Sequence, residues 1–155
     1  MNLRVIDIID GTIVDGPGLR TSIYMAGCRH ACEGCHNPQS WSFNSGRDMS
    51  IEDIIGHVLD NGFNVTLSGG DPLYQIDGVI ELCDALHSIN KNVWCYTGFT
   101  IEEIQADSSL RRILDHADVL IEGRFVKSLR DSSLRFRGSS NQRIIPLNDS
   151  VEVDW

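Results

Sequence analysis

The chain has 155 residues, 41% apolar and 23% charged, with a net charge of −9 and five cysteines. That length suits one domain with a substantial core, and the composition is that of a soluble globular protein. The acidic balance speaks against a general nucleic-acid binder, which needs cations to displace counterions, and no run approaches the ~18 apolar residues of a membrane span.

Residues 1–16, MNLRVIDIIDGTIVDG, lack the basic, apolar, small-residue order of a signal peptide, so a cytoplasmic location is expected. In that compartment thiols stay reduced, and clustered cysteines read as metal-binding or catalytic before they read as disulfides. Residues 20–27, RTSIYMAG, have the pattern of a strand ending at glycine. Residues 50–62, SIEDIIGHVLDNG, read as a helix, with a serine cap, acids in the first turn and a closing glycine. A strand over 64–70, NVTLSGG, runs into two glycines, and a helix over 76–90 carries Val79, Ile80, Leu82, Cys83 and Leu86 at helical spacing. Residues 92–98, NVWCYTG, are β-branched and aromatic, hence strand. Thr100 and Glu103 have the spacing of a capping box, and residues 108–117 read as another helical turn or two. Residues 118–123 and 142–147 read as later strands.

Strands alternating with helices predict an α/β fold with a mostly parallel sheet and right-handed crossovers. Four or five such units are too few for a closed eight-fold barrel of roughly 250 residues, so a partial, open β/α barrel is expected over a single domain, 1–155. Residues 148–155, NDSVEVDW, permit a loose tail. In parallel architectures ligands sit beyond the C-terminal ends of the strands. Three suggestive segments fall there: the cysteine loop after the first predicted strand, SGGDP (68–72) after the second, and YTG (96–98) after the third.

The cysteine loop, GCRHACEGCHNP (27–38), places Cys28, Cys32 and Cys35 within eight residues. Four chemistries compete for them. A structural zinc needs four ligands, with His30 or His36 as the fourth, but zinc modules usually join two separated pairs. A thiol–disulfide pair at Cys32 and Cys35 leaves Cys28 without a role. Three buried small hydrophobes fit poorly among Arg29, His30, Glu33 and His36. Three thiolates on three irons of a 4Fe-4S cube leave the fourth iron open to a substrate, and this alone makes a missing fourth cysteine useful. Spacing by itself leaves zinc standing beside the cube.

The glycine-rich segment has a rationale of its own. Gly69 and Gly70 let a ligand approach the backbone, Asp71 offers an acceptor for an ammonium group, and Pro72 stiffens the turn. A plain strand-ending turn uses the same residues. Residues 124–143 hold six cations (Arg124, Lys127, Arg130, Arg135, Arg137, Arg143) against Asp131, a surplus of +5 that leaves −14 on the remainder. Such a segment is either a solvated face or a site for an anionic group or partner. Cys83, Cys95, Trp41, Trp94 and Tyr96 read as packing residues, and Arg20 as structural. His30 and His36 read as solvated loop residues or as hydrogen-bonding neighbours of a cluster.

The C-x3-C-x2-C spacing, together with TLSGGDPL (66–73), resembles the signature of radical S-adenosylmethionine enzymes. DGPGLRTSIYMAGC (15–28) resembles the lead-in of activases of glycyl-radical enzymes. GRFVKSLRD (123–131) and RFRGSSNQRI (135–144) narrow the likeness to the branch acting on anaerobic ribonucleoside-triphosphate reductase. The resemblance implies a 4Fe-4S cluster on Cys28, Cys32 and Cys35. It also implies S-adenosylmethionine held by Gly34, Cys35, His36, Gly69, Gly70 and Asp71. The implied chemistry is reductive cleavage to a 5′-deoxyadenosyl radical that makes a glycyl radical on the reductase. Its implied partners are the reductase large subunit and a reducing electron donor. An activase for another glycyl-radical enzyme and a zinc-stabilised binding module are the alternatives. Two positions depart from the wider pattern: Asp71 stands where Glu is common, and Gly34 where an aromatic residue is common, so no adenine-stacking role falls on Gly34.

Overall fold

The computed structural model describes residues 1–35 and 41–148. His36 and residues 149–155, most of the expected tail, lie outside the described residues. The described residues form seven strands and three α-helices: β1 (Asn2–Thr12), β2 (Arg20–Met25), β3 (Arg47–Ser50), α1 (Ile51–Asn61), β4 (Asn64–Gly69), α2 (Ile76–Ser88), β5 (Val93–Tyr96), α3 (Ile101–Ala106), β6 (Val119–Glu122) and β7 (Arg143–Pro146). The sheet order is β3-β1-β2-β4-β5-β6-β7. The central strands β2, β4, β5 and β6 run parallel, as the alternation predicts. β1 pairs antiparallel with β2 and with β3, and β7 pairs antiparallel with β6. The sheet ends in two short edges and does not close, which makes it an open, partial β/α barrel. No helix of the described residues is long and apolar enough to cross a membrane.

Alternation along the strands sorts the two faces. Ile23, Met25, Val65, Leu67, Val93, Cys95 and Leu120 point toward the helices and pack with Ile54, Val58, Val79, Leu82, Cys83 and Leu86. The opposite face carries Ser22, Tyr24, Thr66 and Ser68 on β2 and β4. It carries Trp94, Val119 and Ile121, with Tyr96, Phe136 and Ile144, on the β5–β7 side. One face is therefore a continuous apolar core and the other is free to become a site. Arg20 is buried on that second face. Its Nε donates to Thr66 Oγ1 at 2.9 Å, and its Nη2 to Val65 O at 2.7 Å and Asn92 Oδ1 at 2.8 Å. Burial brings its pKa down to about 10, still charged at neutral pH, and it ties the starts of β2, β4 and β5 together.

The helix termini follow their local chemistry. Ser50 accepts from Asp53 N, and Gly62 closes α1 in the left-handed conformation. Thr100 and Glu103 form the predicted capping box of α3. Residues Leu110–Asp115, expected as helix, wind as a tighter 3-10 segment. Arg124, arriving after β6, donates to both Glu103 oxygens at 2.7 and 3.0 Å. That guanidinium holds the Glu103 carboxyl down at about 2, below its ordinary 4.5. The folded pKa is depressed, so the pairing stabilises fully above pH ~4.5 and is lost as pH falls toward ~2. Both side chains are partly exposed, so Glu103→Gln should cost under about 1 kcal/mol at neutral pH. It should also flatten the acid limb of the urea midpoint, measured by circular dichroism from about pH 6 to 2.

Candidate metal and cofactor site

A cavity of about 830 Å³ opens on the polar face, at the C-terminal ends of the parallel strands. Cys28, Cys32 and Cys35, from the loop after β2, line it. So do Ser68, Gly69 and Gly70 after β4, Tyr96, Thr97 and Gly98 at the end of β5, and Gly123 after β6. The three segments expected on one rim are brought together there. Further lining comes from β1 and the turn behind it (Ile6, Asp7, Ile9, Ile13, Val14, Asp15) and from residues 134–138 of the basic segment.

The cysteine loop is held from several sides. Cys28 N donates to Trp41 O at 3.2 Å and Cys35 N to Cys32 O at 3.1 Å. Ala31 lies at φ 50°, a conformation that a non-glycine residue keeps only when its surroundings enforce it. The enforcing neighbour in sequence is His30. Its Nε2 donates to Asp71 Oδ2 at 2.7 Å, with the two side chains 4% and 0% exposed. The same oxygen accepts from Thr97 Oγ1 and Gly98 N, each at 2.9 Å, while Oδ1 accepts from Leu73 N at 3.0 Å. The His30 ring stands edge-on to Phe99, centroids 4.6 Å apart, and a Cβ on Gly98 would lie 2.5 Å from His30 Cδ2. One buried carboxylate thus knots the cysteine loop, the glycine-rich turn and the tip of β5. The sequence reads His30 as a solvated loop residue or a hydrogen-bonding neighbour of a cluster, and nothing local pairs it with a residue 41 positions away.

This arrangement gives Asp71 a structural task. The sequence suggests an acceptor for a ligand's ammonium group, but the carboxylate is fully buried, holds four donors and does not line the cavity. Gly69 also has a second reason to be glycine. It sits at φ 104°, and a Cβ there would lie 2.3 Å from Met25 N, so β2 and the turn could not close together. Gly70 N and Asp71 N complete that closure on Met25 O and Gly27 O, at 2.7 and 2.8 Å. Gly69, Gly70 and Cys35 face the cavity. Gly34 is exposed and does not line the cavity, a Cβ there would be 3.3 Å from the Phe125 ring, and His36 is outside the described residues.

The thiols are half-buried, and burial pushes Cys28 up to about 11 and moves Cys32 in the same direction. Among the described residues no three Cys, His, Asp or Glu side chains converge as the ligands of a single ion must. A cube asks for a wider set, since each thiolate binds a different iron. Cys83 and Cys95 are packed in the apolar core on the helix side of the sheet, away from the polar face, so neither serves as a fourth thiolate.

The family model described as a 4Fe-4S single cluster domain matches residues 14–145. The chain is 37% identical over 140 residues to the anaerobic ribonucleoside-triphosphate reductase-activating protein of Salmonella typhimurium, covering 84% of this chain and 90% of that one. The proteins of the same description from Pasteurella multocida and Enterobacteria phage T4 are 40% and 33% identical, over 85% and 89% of this chain and 90% of each relative. Among solved structures, QueE from Escherichia coli superposes with a TM-score of 0.56 at 18% identity, over 64% of this chain and 54% of that one, a likeness of fold alone.

Proposed function

The chain belongs to the anaerobic ribonucleoside-triphosphate reductase-activating proteins, radical S-adenosylmethionine enzymes with a 4Fe-4S single cluster domain, and we propose that Cys28, Cys32 and Cys35 hold its cluster. One observation carries the assignment of the ligands. Three thiols share the rim of one cavity, while the two remaining cysteines are sealed in the core on the other side of the sheet. The donor set is therefore three, which suits a cube with one iron left for a small molecule. A cationic cluster also supplies what the thiols lack, since coordination deprotonates groups that burial alone keeps protonated.

When bound, the cluster and S-adenosylmethionine supply a reductive cleavage to methionine and a 5′-deoxyadenosyl radical, which takes a hydrogen from a glycine of the reductase. The chain's own residues position and enclose. Gly69 and Gly70 present bare backbone to the cavity beside the thiols. The Asp71 knot fixes that backbone relative to the cysteine loop. Ile13 and Val14, 67% and 68% exposed, line the same cavity, so its mouth offers apolar side chains to the large subunit of the reductase. A low-potential electron donor completes the set of partners.

Anaerobically reconstituted protein, reduced with dithionite beside S-adenosylmethionine, should release 5′-deoxyadenosine and methionine in equal amounts. Adding the reductase large subunit should produce a glycyl radical signal by electron paramagnetic resonance. Nucleoside and methionine without the radical would move the assignment to another glycyl-radical partner. A protein with full iron and sulfide content that releases neither would remove it.

A further inference from the structure

Three of the six cations in the basic segment are accounted for by acids. Arg124 pairs with Glu103, Arg143 with Glu102 and Glu122, and Lys127 approaches Glu33. Arg130 lies over Phe125 and Arg135 over Phe136. Arg137 is different. Its Nε is buried with no partner among the described residues, and Nη1 makes one long bond, 3.3 Å, to Gln142 O. Asp131, the acid of the segment, takes Ser133 instead. Arg137 also lines the cavity that the three cysteines line.

The backbone around it is built to keep it there. Phe136 is held at φ 64°, a conformation costly for a bulky residue. Its ring stands edge-on to Trp94, centroids 5.5 Å apart, and its carbonyl accepts from Tyr96 Oη at 2.6 Å. On the other side Gly138 N donates to Gln142 Oε1 at 2.8 Å. Arg137 is thus clamped between two anchored neighbours, with its Nε donor desolvated and unused. An N–H left this way is unfavourable unless something else accepts from it. The pairing that suits a guanidinium edge is a carboxylate taking two parallel N–H bonds.

We propose that Arg137 is a carboxylate-receiving site in the cavity wall, filled during the reaction by the amino-acid end of S-adenosylmethionine or by an acidic side chain of the reductase segment that enters the cavity. This rests on the functional reading above, and it adds a binding residue that the cysteine and glycine motifs do not contain. The two sources share one chemistry and separate by experiment.

The test uses cluster-loaded protein under anaerobic conditions. Affinity is measured by equilibrium dialysis for S-adenosylmethionine and its decarboxylated analogue, and by interferometry for the reductase large subunit. The variants are Arg137→Gln and Arg137→Lys, the second keeping charge but losing the fork. If the cofactor supplies the carboxylate, Arg137→Gln should weaken S-adenosylmethionine about tenfold or more and leave the decarboxylated analogue unchanged, with Arg137→Lys between. If the reductase supplies it, both small ligands should bind as in the parent while affinity for the large subunit falls about tenfold. Equal weakening of both small ligands, or no change in any of the three affinities, overturns the proposal. Iron content and melting temperature matched to the parent exclude a folding defect, and Arg137→Lys carries the comparison alone should Arg137→Gln fail to fold. A parent protein that is fully loaded yet binds neither small ligand removes the functional reading, and this inference with it.

Discussion

Cys32→Ala should give a folded protein that retains no intact 4Fe-4S cluster and releases no 5′-deoxyadenosine above the level of cluster-free protein. The reasoning separates what the thiol does for the fold from what it does for the metal. Cys32 is half-buried on the rim and lies outside the apolar core, so its loss should change the stability of the metal-free chain by under about 1 kcal/mol. For the metal the same change removes one of three protein ligands, and no other cysteine is within reach. Cys95→Ala is the matching control. That thiol is fully buried in the core, so its removal should cost about 1 kcal/mol or more of stability while iron and sulfide stay at parental levels. Iron and sulfide analysis, the visible absorption of the reconstituted protein and urea unfolding read both effects. A Cys32→Ala protein with about four irons, four sulfides and parental turnover would show that the ligands had been misassigned.

The parallel core of the fold was legible because its signals are local. Ser50, Gly62, Thr100 and Glu103 mark helix ends through bonds a few residues long, and each does so in the structure. The rim was legible for a topological reason, since every parallel strand delivers its following loop to the same end. β1 and β3 were not foreseen. β3 reads RDMS, with nothing strand-like in its composition, and exists because Asn2–Val5 of β1 pair with it. β1 and β7 turn a parallel sheet into a mixed one by antiparallel edges, and no periodicity within a strand encodes its partner's direction. The site divided in the same way. Cysteine spacing is a local pattern and could be read. The contact of His30 with Asp71 and the clamping of Arg137 between Phe136 and Gly138 depend on residues brought together only by folding. The acid-poor composition of residues 124–143 was the trace of Arg137 that the sequence did carry.

Asp71→Ala is expected to lower the stability of the metal-free protein by at least about 3 kcal/mol, a large effect for one polar side chain. The carboxylate is inaccessible to water and is the acceptor for four groups: Leu73 N, Gly98 N, Thr97 Oγ1 and His30 Nε2. Each buried donor left without an acceptor costs about 1–3 kcal/mol, and partial relaxation keeps the sum below four full penalties. Asp71→Asn retains the volume but brings one oxygen and one NH2. With the oxygen turned to the three donors on Oδ2, the NH2 meets Leu73 N–H donor to donor, so an intermediate loss of about 1–2 kcal/mol is expected. Urea unfolding of metal-free protein measures both. The order of effects decides what Asp71 is for. A residue that only touched a ligand would leave the metal-free chain as stable as the parent and weaken S-adenosylmethionine alone. A residue that knots three rim segments must show its loss before any ligand is added, and must then fail to hold the cysteine loop that His30 anchors. Parental stability in Asp71→Ala, within about 0.5 kcal/mol, would mean that the four donors find water or one another, and that the strained turn at Ala31 is held by something other than His30.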